Sequence, residues 1–183
     1  MVILAPVIEE YIFRKQLIDR MHVYGEKLAV ITSALMFGLF HGNLSQLFYA
    51  FALGLVFGYV YLKTGKLRYS ISLHMLINFI GSVAGPFFLE KIAVLGTMET
   101  LDMVALESIM PWLIGFGAYV LVLIGLAITG LVLLCINKRK VSFAPAELEL
   151  PKDDRFMTVY GNVGMILLVV GCTALIVASL IPL

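Results

Sequence analysis

The chain has 183 residues, 61% hydrophobic and 14% charged, with a formal net charge of +1 and a mean hydropathy of +1.02. A soluble domain carries about 45–50% apolar and about 25% charged residues, so a soluble globular fold is excluded. What remains is an all-α polytopic membrane protein, a bundle of about six hydrophobic helices set in membrane lipid, and the net charge says nothing about nucleic acid or acidic partners.

The first segment, Met1 to about Met21, begins apolar and ends in Arg14, Lys15, Asp19 and Arg20, as a helix leaving the bilayer would. Glu9-Glu10 interrupt the apolar run before a signal-peptide core is complete, and no small-residue cleavage site follows. Met1 stands inside what reads as a membrane helix, so further helices are expected upstream in a longer reading frame. After a polar link, His22 to Lys27, a second apolar helix runs from Leu28 to His41 and meets the breakers Gly42-Asn43. Leu44 to Leu62 is near the ~20 residues needed to cross about 30 Å of hydrocarbon, and Lys63 to Arg68 is a basic turn.

Ser70 to Leu89 forms the next span, with Gly85-Pro86 kinking or ending it. Residues 1–90 therefore form a core. Glu90 to Met110 mixes acidic and apolar residues and reads as an extracytoplasmic loop or an interfacial helix. Residues 111–183 hold two further spans, Pro111 to Ile136 and Val159 to Ile181, joined by the charged loop Asn137 to Thr158. Cys135 and Cys172 fall within apolar runs, without metal or disulfide spacing, and read as packing residues. Gly54-x-x-x-Gly58 and Gly81-x-x-x-Gly85 offer close-packing faces, read as internal packing ahead of partner docking. Lys and Arg concentrate in the segments 14–27, 63–68 and 138–155, while the alternate loops hold only Lys91. If the helices alternate, all three basic segments lie on the cytoplasmic side and the C-terminus lies outside.

Ionisable residues inside such helices are the first place to look for function, since each costs about 2.5–3.5 kcal/mol near a helix centre. Glu10 and Arg14, Phe37 and His41, and His74 and Asn78 are each spaced to share a helix face. At 1.5 Å per residue, Glu10 lies roughly 15 Å from a cytoplasmic edge at Arg20, His41 roughly 21 Å from Lys27, and His74 and Asn78 roughly 9 and 15 Å from Arg68. These depths overlap, so one chamber can hold them all. Separately, Glu10–Arg14 reads as an interfacial ion pair, His41 as a helix-end histidine, and His74 with Asn78 as interhelical hydrogen bonding. Together they leave Glu9 over, because adjacent residues point about 100° apart on an α-helix and cannot both pair with Arg14. A spare carboxylate beside imidazoles suits activation of water, with a second histidine and an amide available to an oxyanion. Two other readings use the same residues: a transporter or cation-binding module, and a non-catalytic scaffold that binds partner helices.

Glu9-Glu10-x-x-x-Arg14, Phe37-x-x-x-His41 and His74-x-x-x-Asn78, in order on successive apolar helices, resemble the CAAX-processing and bacteriocin-processing intramembrane proteases, the Abi or CPBP family. His41 to Gln46 and Thr64-Gly65-Lys66 also look like bacterial members, and the resemblance covers roughly Ala5 to Phe88. It implies an intramembrane peptidase of the bacterial cell membrane with its site in a cavity within the bilayer and a peptide or membrane protein, not nucleic acid, as partner; the chamber read from the helix depths opens toward the cytoplasm. Glu9 and His41 would activate water, His74 and Asn78 would stabilise the oxyanion, and Glu10, Arg14 and Phe37 would support them. A prenylated CAAX substrate does not follow from the resemblance. No cofactor is expected; zinc on Glu9, His41 and His74 is the alternative, but these motifs lack a His-x-x-x-His pair and Asn78 is a poor zinc ligand.

Overall fold

A computed structural model describes residues 2–93, 103–148 and 150–181, with the side chains of residues 104, 105, 152 and 155 excepted. Among them every regular element is helical. Three helices are long and apolar enough to cross a membrane, Leu44–Thr64, Leu67–Ala93 and Leu106–Lys140, with Val163–Ser179 a shorter apolar helix. The contacts divide the chain into two units, residues 3–75 with 143–183 and, separately, residues 76–142. Residues 76–90 are grouped away from the earlier helices, and the last helix is grouped with those earlier helices.

The first unit opens with α1, Leu4–Glu10. This continues without a break into a π-helix, Tyr11–Ile18, and then into the short α2, Asp19–Met21. A regular α-helix is the expectation here; the wider π winding begins at the residue after the paired glutamates. After a 3₁₀ turn at His22–Tyr24, Gly25 takes φ +113° and α3 runs Glu26–Phe40. The Gly42-Asn43 break is real. Gly42 adopts φ +67°, a left-handed conformation that a β-carbon disfavours, and the Asn43 side chain caps α4, Leu44–Thr64, by accepting from the Gln46 N–H.

Gly65, at φ +64°, closes α4 in a left-handed C-cap, and α5, Leu67–Phe79, restarts almost at once. The basic turn expected over Lys63–Arg68 is therefore reduced to Gly65-Lys66, and the following helix begins before Ser70. The core of this unit lies between the first helix, α3 and α4. One cluster joins Ile18, Met21, Ala29, Val30 and Tyr61 to Val159, and another joins Phe13, Met36, Phe37 and Ala50. Val163–Ser179, or α9, returns to this core, with Met165, Leu168 and Val169 packed on the second cluster. The last span, expected from Val159, is instead divided. Lys152–Tyr160, or α8, stops at Gly161, where a β-carbon would stand 2.5 Å from the Met157 carbonyl, and Asn162 caps α9 by accepting from the Met165 N–H.

The second unit continues the α5 helix through a π segment, Ile80–Ala84, into α6, Gly85–Ala93. Gly85-Pro86 does not end this helix. Proline lacks the N–H for its own turn, and the wider π turn immediately before it is where the backbone adjusts. Met103–Asn137, or α7, contains Pro111 and packs on α6 through Phe87 against Trp112 and Phe88 against Tyr119. Of the segment expected as a loop or interfacial helix, Glu90–Ala93 and residues 103–110 are helical. Residues 94–102 lie outside the described residues.

Candidate active site

The site is built where the first helix crosses α3, α4 and the start of α5. Glu10 and Arg14 are both fully buried. Arg14 clamps Glu10 through two edges of its guanidinium: Nε donates to Oε2 at 3.0 Å and Nη2 donates to Oε1 at 3.2 Å. Such a forked contact fixes both partners in one plane. From α5, the buried His74 brings Nδ1 to 3.1 Å from Glu10 Oε1. A carboxylate clamped by arginine accepts only, so Nδ1 is the donor and Nε2 is turned toward the other glutamate. The Nε2 atom stands 3.7 Å from Glu9 Oε2.

Glu9 is half-buried and lies within electrostatic reach of both His74 and His41. His41, at the C-terminal end of α3, places Nδ1 2.8 Å from the Phe37 carbonyl. A carbonyl oxygen only accepts, so Nδ1–H donates and the Nε2 lone pair is left for the cavity. The adjacent carboxylates are therefore inequivalent. Glu10 is held by three donor contacts, whereas Glu9 has only the longer approach to His74 Nε2.

Aromatic rings wall the cluster. Phe37 is edge-on to His41 and His74, with centroids 4.9 and 5.5 Å apart, and lies 4.9 Å from the Arg14 guanidinium carbon. Phe57 stacks on His74 at 5.2 Å and lies 5.8 Å from Arg14. Five residues singled out from the sequence, Glu9, Glu10, Arg14, His41 and His74, are thus brought together around Phe37. Asn78 lies one turn beyond His74 on the same helix, half-buried, and falls in the group of residues 76–142. It is not among the residues brought together here.

Two contributors have no place in the sequence motifs. Ser33 Oγ accepts from Arg14 Nη1 at 2.8 Å and donates to the Phe13 carbonyl at 2.7 Å. Its signal is a polar side chain one turn before Phe37 on the face that carries His41. Phe57 gives no such signal, being one of 12 phenylalanines in the chain. Among the described residues no group of three His, Cys, Asp or Glu side chains is gathered in a way that could hold a metal ion. One ring nitrogen of each site histidine is already engaged, by Glu10 or by the Phe37 carbonyl.

The fold and this cluster define an all-α integral membrane protein with a buried Glu–Arg–His site. Residues 1–80 match the family model described as Type II CAAX prenyl endopeptidase Rce1-like. It is similar to YdiL of Bacillus subtilis (strain 168), whose name classes it with the membrane peptidases, at 31% identity over 42% of this chain and 32% of the relative. It is also similar to the membrane-embedded CAAX protease MroQ of Staphylococcus aureus (strain USA300), at 31% identity over 42% of this chain and 34% of the relative. The matched segment thus spans about a third of each relative's length. No solved structure matches the chain.

Proposed function

We propose that the chain acts as an intramembrane endopeptidase that hydrolyses a peptide bond of a membrane-associated peptide or protein, with Glu9 activating the water. The observation that carries this reading is the inequivalence of the two glutamates. Glu10 is committed to Arg14 and His74, while Glu9 is half-buried and faces His74 Nε2 at 3.7 Å. Glu9 takes a proton from water as its oxygen attacks the carbonyl carbon, and the His41 Nε2 lone pair helps to orient that water. His74 stabilises the oxyanion as the doubly protonated ring, donating from Nε2 while Nδ1–H stays on Glu10. The carbon–nitrogen bond then breaks, and the proton held by Glu9 passes to the leaving amine.

No metal takes part in this scheme. The basic segments, read by the positive-inside rule, support an opening of the site toward the cytoplasm. The relatives' names support a peptide substrate in the membrane, and the chemistry requires only an accessible amide bond.

The test is cleavage of a fluorogenic membrane peptide by the protein in detergent. Glu9→Gln is expected to lower kcat by about 10²–10⁴-fold, the usual contribution of a general base, with the melting temperature retained. Wild-type cleavage by Glu9→Gln would defeat the assignment, and ion flux in vesicles without any cleavage would favour transport. Cleavage should persist in a strong chelator. Activity lost there and restored by zinc would overturn the metal-free scheme.

A further inference from the structure

The guanidinium of Arg14 is gripped on a third side by a residue outside the family-like motifs. Ser33 is fully buried on α3, one turn before Phe37. Arginine has no acceptor, so the Arg14 Nη1 contact at 2.8 Å is a bond donated to Ser33 Oγ. The Phe13 carbonyl has no donor, so the contact at 2.7 Å is the serine hydroxyl donating to it. The hydroxyl proton is therefore committed to the π-helical backbone, and an oxygen lone pair is aimed at Arg14. The hydroxyl also ties α3 to the π segment that bears Arg14.

We propose that Ser33 is a positioning residue for the peptide hydrolysis, and the proposal rests on the peptidase reading above. Ser33 fixes the rotation of the Arg14 fork, so that both Nε and Nη2 meet Glu10. Glu10 Oε1, shared between Arg14 Nη2 and His74 Nδ1, then sets the plane of the imidazole. The imidazole in turn aims Nε2 at Glu9. If Ser33 is removed, the fork can turn about its own axis between the Phe37 and Phe57 rings, and the error passes through Glu10 to His74. Ser33 touches no reacting atom in this scheme, so its effect should appear in turnover rather than in substrate binding.

Steady-state kinetics and thermal melts of the whole chain in detergent test this with Ser33→Ala, Ser33→Thr and Ser33→Cys. Ser33→Ala should lower kcat by roughly tenfold to a hundredfold, as expected for a small misplacement, with KM within about twofold. Ser33→Thr keeps the hydroxyl and should recover most of the loss. Should Ser33→Ala fail to fold, Ser33→Cys decides, because a thiol is the weaker partner and should give a reduced kcat in folded protein. Wild-type kcat in folded Ser33→Ala or Ser33→Cys would overturn the proposal, as would a loss that only follows the folded fraction or a folded Ser33→Thr as slow as Ser33→Ala. If Glu9→Gln is inactive while Ser33→Ala is fully active, the positioning role alone falls. If both cleave as wild type does, the assignment of Glu9 as the base falls together with the positioning role, whereas no cleavage by the wild-type protein would mean that the peptidase reading itself has failed.

Discussion

Arg14 shows how a charge is kept in an apolar bundle. It is fully buried, yet its Nε, Nη1 and Nη2 all have acceptors and two phenylalanine rings stand near its guanidinium carbon. A buried pair contributes little net stability when intact, but removing one partner strands the other charge, at a cost of about 3–5 kcal/mol. Arg14→Ala should therefore destabilise by about that amount, and adding Glu10→Gln should restore part of it. Denaturation in mixed micelles would measure this, and a double variant less stable than Arg14→Ala would contradict it. Arg14→Lys should behave as a poor replacement, since an ammonium is a point donor that cannot reproduce the fork. The pairing of Glu10 with Arg14, and the nearness of Glu9, His41 and His74, were legible because ionisable residues are so sparse in apolar helices. Ser33 and Phe57 were not, because a small hydroxyl and an aromatic ring are ordinary in such helices and only tertiary contact distinguishes them.

At the scale of the elements, the site depends on α3 and α4 lying close together. Small residues allow that approach. A β-carbon on Gly54 would stand 2.9 Å from the Ala34 Cα, and one on Gly38 would stand 2.8 Å from the Leu47 carbonyl oxygen. Backbone cannot yield as a flexible side chain can, so Gly54→Ala should cost about 1–3 kcal/mol through overpacking and should lower activity by moving Phe37 and Phe57 apart. Gly81 is the control from the second glycine motif, since a β-carbon there meets nothing within 4 Å. Gly81→Ala should stay within about 0.5 kcal/mol of wild type. Equal melting temperatures for the two variants would refute the close-packing argument. The sequence reads both glycine pairs alike, because spacing is the same and only the neighbour differs. Helix positions were legible from apolar runs and from the breakers Gly42, Asn43 and Gly65. The π winding at Tyr11–Ile18 was not, since one extra residue in a turn leaves no mark in composition.

For the molecule as a whole, the chain leaves its first unit at residue 76 and comes back at residue 143, so the ends of α3 and α4 are joined by a segment distant in sequence. Glu26 Oε2 accepts from Lys63 Nζ at 2.7 Å and from the Ala144 N–H at 2.7 Å, Phe143 lies edge-on to Tyr59, and the Leu148 N–H donates to the Val23 carbonyl at 2.9 Å. The charge pattern alone brought the basic segments to one side of the membrane; it could not show that a single carboxylate ties two helix ends and the returning chain together. Burial raises the Glu26 pKa, but the hydrogen bonds from Lys63 and the Ala144 N–H outweigh it and hold the carboxyl below its ordinary value. A group with a depressed folded pKa adds stability that is fully present above its unfolded pKa, about 4.3 for glutamate, and is lost as pH falls through the lower folded value. Wild type should therefore melt higher than Glu26→Gln at neutral pH, and the gap should close progressively below about pH 4.3. Melting curves of both proteins across that window check the sign. A gap that stays constant down to about pH 3, or widens on acidification, would mean that Glu26 is not the charged tie between these segments.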